Sequence, residues 1–275
     1  MDHYAVIGNP VAHSRSPVIH RLFAVATGQE MTYQALLAPR DGFAQTLRAF
    51  VGRGGRGANV TLPFKEEAAA IVDRLDPDAG LAGAVNTVVV AADGTLAGFN
   101  TDGIGLIADL RNGLGVQLAG ARILMLGAGG AARGAIGPLL GAGCALLALC
   151  NRTPVRAAAV AAVFADRRVT VIDGSDVRDP FDLIINATSA SLTGATVALP
   201  PRAIGAESTF YDMVYGDAAR ASLETALSLG ARVVSDGLGM LVEQAAAAFA
   251  LWRGVRPDTK AVIAELRAQI EESAL

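Results

Sequence analysis

Arg122-Ile123-Leu124-Met125-Leu126-Gly127-Ala128-Gly129-Gly130-Ala131-Ala132 reads as a short buried strand running straight into a glycine turn and the start of a helix. The turn fits G-x-G-x-x-(G/A), with Ala132 in the third small place. The first glycine allows the tight turn and the second lets the backbone approach a pyrophosphate. The small third residue lets helix and strand pack closely, and the phosphate then meets the amides of the helix N-terminus. The alternative is a purely structural βα turn; the strand–turn–helix context favours a dinucleotide site.

Working outward, the pattern repeats. Strands are predicted at 122–126, 145–150, 169–172, 182–186, 208–212 and 231–234, with helices at 130–142, 154–165 and 217–229. This is the pattern of a doubly wound parallel sheet. Helices at 238–252 and 258–273 have no strand to pair with there and are expected to return to the N-terminal part. In that part, strand-like runs at 4–8, 32–37, 58–61 and 85–90 alternate with helix-like runs at 17–27, 42–51 and 63–75. A second α/β layered sheet follows. The expected division is a substrate and catalytic domain over 1–103, completed by 237–275, and a Rossmann-type nucleotide domain over 104–236.

Composition narrows the class. The chain has 275 residues, 52% of them apolar, and a net charge of −3. The longest apolar stretch, Leu139 to Cys150, is broken by Gly141 and Gly143 and is too short to span a bilayer, which takes roughly 20 residues. The N-terminus has no basic n-region or cleavage site, so a cytoplasmic protein is expected. Basic residues are dispersed, which argues against nucleic acid as the partner. No membrane partner is expected either, and the chain is read as a monomer or homodimer. Cys144 and Cys150, at the ends of one strand-like run, would lie roughly 20 Å apart, too far for a disulfide. His occurs only at 3, 13 and 20, which gives no metal-site spacing.

The second strand of the nucleotide unit selects the dinucleotide. An NAD site places an acid near its end for the ribose 2′-hydroxyl. Here the strand runs into Asn151-Arg152-Thr153-Pro154-Val155-Arg156, and no Asp or Glu occurs from Arg111 to Ala165. Guanidinium groups at Arg152 and Arg156 suit a 2′-phosphate, so NADP is expected rather than NAD. Two solvated helix-start arginines are the alternative.

Of 23 basic residues only Lys65 and Lys260 are lysine. Asn59 and Thr61 share one face of a strand, and Pro63 suits a first helical turn, which sets Lys65 near the helix N-terminus. The helix dipole disfavours a cation there, which suits a general acid/base better than a structural cation. Asp102 begins the next helix, as an N-cap or as the partner of Lys65. Ser14 and Ser16, before Pro17, either cap a helix or bind a carboxylate.

Several stretches together resemble the shikimate dehydrogenase family: Gly8 to Pro17, Gly57 to Lys65, Ala84 to Thr87, Asn100 to Gly103, Gly127 to Arg133, Asn151 to Thr153, Asn186 to Ser189, Tyr211 to Tyr215 and Asp236 to Gln244. The resemblance implies that Ser14 and Ser16 bind a ring carboxylate. It implies that Asn59, Thr61, Asn86, Asp102, Gln244 and, less firmly, Tyr215 bind ring hydroxyls, with Lys65 as acid/base paired with Asp102. Gly127, Ala128, Gly129, Gly130, Ala131, Asn151, Arg152, Thr153, Arg156, Thr188, Met213 and Gly237 would line an NADP site. The implied reaction is reduction of 3-dehydroshikimate to shikimate in the pathway to chorismate and the aromatic amino acids. The chain departs from the family pattern at Ala190-Ser191 and at Gly216-Asp217. Rival readings are a quinate/shikimate dehydrogenase using NAD and an NADP-binding regulator without turnover.

Overall fold

The computed structural model describes residues 1–191, 195 and 197–273. The chain divides into two compact units, Met1–Gly105 with Val242–Leu266, and Leu106–Leu241 with the residues from Arg267 onward.

The first unit runs β1 (Asp2–Gly8), α1 (Ser16–Thr27), β2 (Met31–Leu37), α2 (Phe43–Gly52), β3 (Gly55–Val60), α3 (Lys65–Ile71), β4 (Arg74–Leu75), α4 (Pro77–Ala82), β5 (Thr87–Val90) and β6 (Leu96–Phe99), and α5 (Asp102–Ala108) begins at its border. Its sheet has the order β2-β1-β3-β5-β6-β4. β1 pairs in parallel with β2 and β3, whereas β5 is antiparallel to both β3 and β6. The C-terminal ends of β3 and β6 therefore meet the N-terminal end of β5, in the register Asn59↔Thr87↔Phe99. Alternation sends Ala5, Ile7, Ala58 and Val60 into a core with Phe43 and Phe64, whose rings stack at 5.0 Å. The opposite face carries Tyr4, stacked at 4.7 Å on Trp252 from the returning segment. Gly57 must lack a side chain there, because a Cβ would lie 2.3 Å from Trp252 Nε1.

Three local expectations need correction. The helix expected over 63–75 is confined to Lys65–Ile71, and Arg74–Leu75 is a short strand. Pro63 lies in the turn before α3, with Phe64 as N-cap, rather than in the first helical turn. β6 and α4 were not expected. Leu96-Ala97-Gly98-Phe99 has no β-branched residue, and Gly98 is dictated by packing, since a Cβ would meet Val85 Cγ2 at 2.6 Å. α4 is set by the Asp76 side chain, which accepts from Ala79 N at 2.9 Å, and by Gly83 at φ 59.

The second unit continues from α5 through a π-helical turn at Asp109–Gly113 to β7 (Arg122–Leu126), α6 (Gly130–Gly141), β8 (Leu146–Cys150), α7 (Pro154–Phe164), β9 (Val169–Val171), β10 (Leu183–Asn186), β11 (Thr209–Asp212), α8 (Asp217–Ser228) and β12 (Val233–Ser235). The order β12-β11-β10-β7-β8-β9 is parallel throughout. It is the doubly wound arrangement, reversing direction between β7 and β10. Ile123 and Met125 feed one core and Leu124 and Leu126 the other, as a parallel sheet covered on both faces requires. α9 (Leu238–Arg253) starts in this unit and passes into the first, and α10 (Lys260–Ser273) makes the return passage. Among the described residues no helix is long and apolar enough to cross a membrane, and Cys144 and Cys150 are both free.

Candidate active site

Lys65 is the first residue of α3 and Asp102 the first of α5, and their side chains meet. Lys65 Nζ donates to Asp102 Oδ2 at 2.6 Å, with side chains 24% and 11% exposed. The lysine carbonyl accepts from Val85 N at 2.9 Å, which ties the head of α3 to the approach of β5. Asp102 N is held by Asn100 Oδ1 at 3.1 Å, and Asn100 Nδ2 in turn donates to Ala84 O. The ammonium thus has fixed backbone on its own side and on that of its partner.

Asn86 is the hub. Its Nδ2 donates to Asp102 Oδ1 at 2.7 Å and to Thr101 Oγ1 at 2.9 Å, with Gln244 Oε1 at 3.3 Å. Its Oδ1 accepts from Thr101 N and from the Thr87 hydroxyl. Asn59 joins through Nδ2, which donates to Asn86 O at 3.2 Å and Thr87 Oγ1 at 3.0 Å. Asn59, Asn86, Asp102, Lys65 and Gln244 are therefore one hydrogen-bonded cluster at the strand ends. Thr61 follows Asn59 on the same strand line, with its N bonded to Ile7 O at 3.0 Å. Its methyl would lie 2.3 Å from a Cβ on Gly8, so that glycine gives Thr61 its room.

Ser14 and Ser16 stand at the head of α1. The N-cap is Arg15, with no side-chain cap bond, and Ser16 N donates to Ser14 Oγ at 3.3 Å. The two hydroxyls therefore do little for the helix end itself. Tyr215 lies in the second unit, in the turn between β11 and α8. A groove of ≈ 800 Å³ runs along α1 and β2, but neither Lys65 nor Asp102 lines it.

The glycine turn of the second unit occupies the point where the sheet reverses direction. Gly127 has φ +111, and a Cβ there would meet Ala187 C and O at 3.1 Å. Gly129, the N-cap of α6, and Gly130, its first residue, have nothing within 4 Å of a Cβ position. Open space lies in front of the first amides of a twelve-residue helix, which is the cradle a pyrophosphate needs. Ala128 lies in the same turn, and Ala131 is the second residue of α6. Asn151 Nδ2 braces the following loop by donating to Thr153 O at 2.9 Å, and Arg152 and Arg156 are exposed with no ion-pair partner among the described residues. Thr188 is fixed by Asn186 Oδ1, Met213 N by Asn186 O at 3.0 Å, and Gly237 N by Val214 O at 3.0 Å. The chemistry of these residues fits a dinucleotide: open helix amides suit its pyrophosphate and two exposed guanidinium groups suit a phosphate.

Sequence reasoning missed Tyr33 and His20. Tyr33 Oη donates to Asn59 Oδ1 at 2.7 Å, and His20 stacks on the Tyr33 ring at 4.2 Å. Neither belongs to a local motif; the sheet brings them to Asn59. Thr87 and Thr101, present in quoted motifs without a role, complete the cluster.

Comparison with known proteins agrees with the geometry. Residues 6–88 match the family described as shikimate dehydrogenase substrate binding domain, 110–198 shikimate / quinate 5-dehydrogenase, and 237–267 shikimate 5′-dehydrogenase C-terminal domain. Shikimate dehydrogenase (NADP(+)) of Aeromonas salmonicida is 54% identical over 268 residues, covering 97% of this chain and 98% of that one. An Ael1 enzyme from Pseudomonas putida superposes with a TM-score of 0.93 at 43% identity, covering 97% and 98%. Shikimate 5-dehydrogenase from Thermus thermophilus, in complex with NADP(H) and shikimate, has a TM-score of 0.84 at 35% identity and full coverage of both chains, 100% each. At this identity over nearly its whole length, the chain belongs to the shikimate dehydrogenase family.

Proposed function

We propose that the protein catalyses the reversible reduction of 3-dehydroshikimate to shikimate with NADPH. The observation that carries the reading is the Lys65–Asp102 pair, built into a cluster of amides and hydroxyls suited to a polyhydroxylated ring. Bound NADPH supplies the hydride. Ser14 and Ser16 bind the ring carboxylate, and Asn59, Thr61, Asn86 and Gln244 bind ring hydroxyls. Asp102 holds the lysine against the ring. Lys65 carries a proton on Nζ and gives it to the oxygen of the reduced carbon; in the oxidative direction it takes that proton from the hydroxyl. The work of the protein is mainly to orient the ring, which is where a large share of such rate enhancements arises. We read the enzyme as a cytoplasmic monomer or homodimer, a compartment with which two free cysteines are compatible.

The test is a nicotinamide absorbance assay with shikimate and quinate, each with NADP and NAD. Turnover dominated by shikimate with NADP is expected. No turnover with shikimate overturns the proposal, and equal use of NAD removes the role of Arg152 and Arg156.

A further inference from the structure

Asn59 has little freedom left for a ligand. Both hydrogens of its Nδ2 are committed, to Asn86 O at 3.2 Å and Thr87 Oγ1 at 3.0 Å. Thr87 spends its own hydrogen on Asn86 Oδ1, so it can only accept from Asn59. One lone pair of Asn59 Oδ1 takes the Tyr33 hydroxyl at 2.7 Å, and one remains. Rotating the amide by half a turn would set its oxygen against the Asn86 carbonyl.

Tyr33 reaches Asn59 obliquely across β1. Tyr33 pairs with Tyr4, and Tyr4 with Gly57, two residues before Asn59 on the same face. The Tyr33 ring is clamped in turn. His20, fully buried in α1, stacks on it at 4.2 Å and 9°, and Trp252 lies beside both rings, 5.3 Å from the imidazole and 6.2 Å from the Tyr33 ring. Burial pushes the Tyr33 hydroxyl well above its ordinary 10, the Ser16 side chain opposing, so the group stays a donor.

We propose that Tyr33 is a positioning residue for the ring site: Asn86 O and Thr87 set the polarity of the Asn59 amide, and the Tyr33 hydroxyl fixes the place of its Oδ1, so that the site selects a substrate with a hydroxyl donor at that ring position. The proposal rests on the reading that Asn59 contacts the ring. Once Tyr33 is removed, the Oδ1 end of the amide loses its anchor and the contact becomes permissive.

The experiment is a steady-state double-mutant cycle on the full-length enzyme, using shikimate and its monodeoxy analogues. Tyr33→Phe is expected to raise KM for shikimate by about 5–10-fold, the worth of one hydrogen bond. kcat and the KM for NADP should stay within about 2-fold. Discrimination against one deoxy analogue should fall by a similar factor. In an Asn59→Ala background, Tyr33→Phe should change nothing further. Tyr33→Met, which keeps bulk without the hydroxyl, should reproduce the KM shift. An equal KM shift from Tyr33→Phe in the Asn59→Ala background overturns the proposal, as does a shift seen with Tyr33→Met but not with Tyr33→Phe. An unchanged KM in Asn59→Ala alone overturns the proposal together with the reading beneath it, which separates the two failures.

Discussion

Lys65 Nζ sits 2.6 Å from Asp102 Oδ2, although the two residues are 37 positions apart and belong to different helices. Each is the first residue of its helix, and the other carboxylate oxygen of Asp102 is taken by Asn86 Nδ2 at 2.7 Å. The carboxylate is thus held from both oxygens, and the ammonium is aimed rather than merely neutralised. If Lys65 transfers the proton, Lys65→Ala lowers kcat by about 10²–10⁴-fold, the worth of a positioned acid/base. Shikimate affinity by calorimetry should fall far less. Lys65→Arg should not restore turnover, because a guanidinium keeps its proton in this pH range. An arginine variant close to the parent in kcat would show that Lys65 only binds.

Arg152 and Arg156, both exposed in the loop and helix start after β8, carry the proposed preference for NADP. Losing a hydrogen bond to a charged group costs about 1.5–3 kcal/mol, or roughly 10–100-fold in affinity. Arg152→Glu is expected to raise KM for NADP by at least that factor while leaving NAD much less affected. Equal losses for the two cofactors would mean that the arginine does not read the 2′-phosphate.

The doubly wound sheet was legible because its central strands β7, β8 and β10 are nearly continuous apolar runs and the glycine turn punctuates the first. β6 was not, since Leu96-Ala97-Gly98-Phe99 has neither alternation nor β-branching, and its pairing with β5 is a tertiary fact. The sequence motifs contained Lys65, Asp102, Asn59 and Asn86, which the structure brings into one cluster. Tyr33 and His20 carried no such signal. Tyr33 is 26 residues from Asn59 and meets it only through the register of β2, β1 and β3. Pro63 misled in a smaller way. A proline before a lysine suits a first helical turn, but Phe64 takes the cap and the helix starts at Lys65.

The head of α1 provides a binding test. Ser14 Oγ accepts only a long 3.3 Å bond from Ser16 N, and no side chain caps the helix. Replacing both serines should therefore cost stability only through the contact of buried Ser16 with Tyr33, about 1 kcal/mol. If they bind the ring carboxylate, Ser14→Ala with Ser16→Ala raises KM for shikimate by about 10-fold or more, from about 1.5–3 kcal/mol per lost bond. KM for NADP should move little. A larger drop in stability with an unchanged KM for shikimate would assign the serines to the helix instead.

His20 makes the stability of the protein depend on pH in a predictable direction. Its imidazole is fully buried between Tyr33, Phe23, Phe249 and Trp252, and neither ring nitrogen has a hydrogen-bond partner among the described residues. Burial pushes its pKa from 6.5 down to about 3, the nearby Asn59 side chain offsetting this only in part. The unfolded chain therefore takes up a proton near pH 6.5 that the folded chain refuses until about pH 3. Stability is full above the unfolded value and is lost as the pH falls through this window, by about 1.4 kcal/mol per pH unit once below about pH 6. Between about pH 7 and pH 5 the loss from this one residue is about 2 kcal/mol. His20→Phe keeps an aromatic ring against Tyr33 and removes the titration. Urea unfolding at about pH 7 and pH 5 should show the parent losing about 2 kcal/mol more than His20→Phe over that interval. Carboxylates titrate alike in both proteins and cancel in the comparison. Equal losses in the two proteins would mean that His20 is protonated in the folded state, with water or a carboxylate reaching its ring.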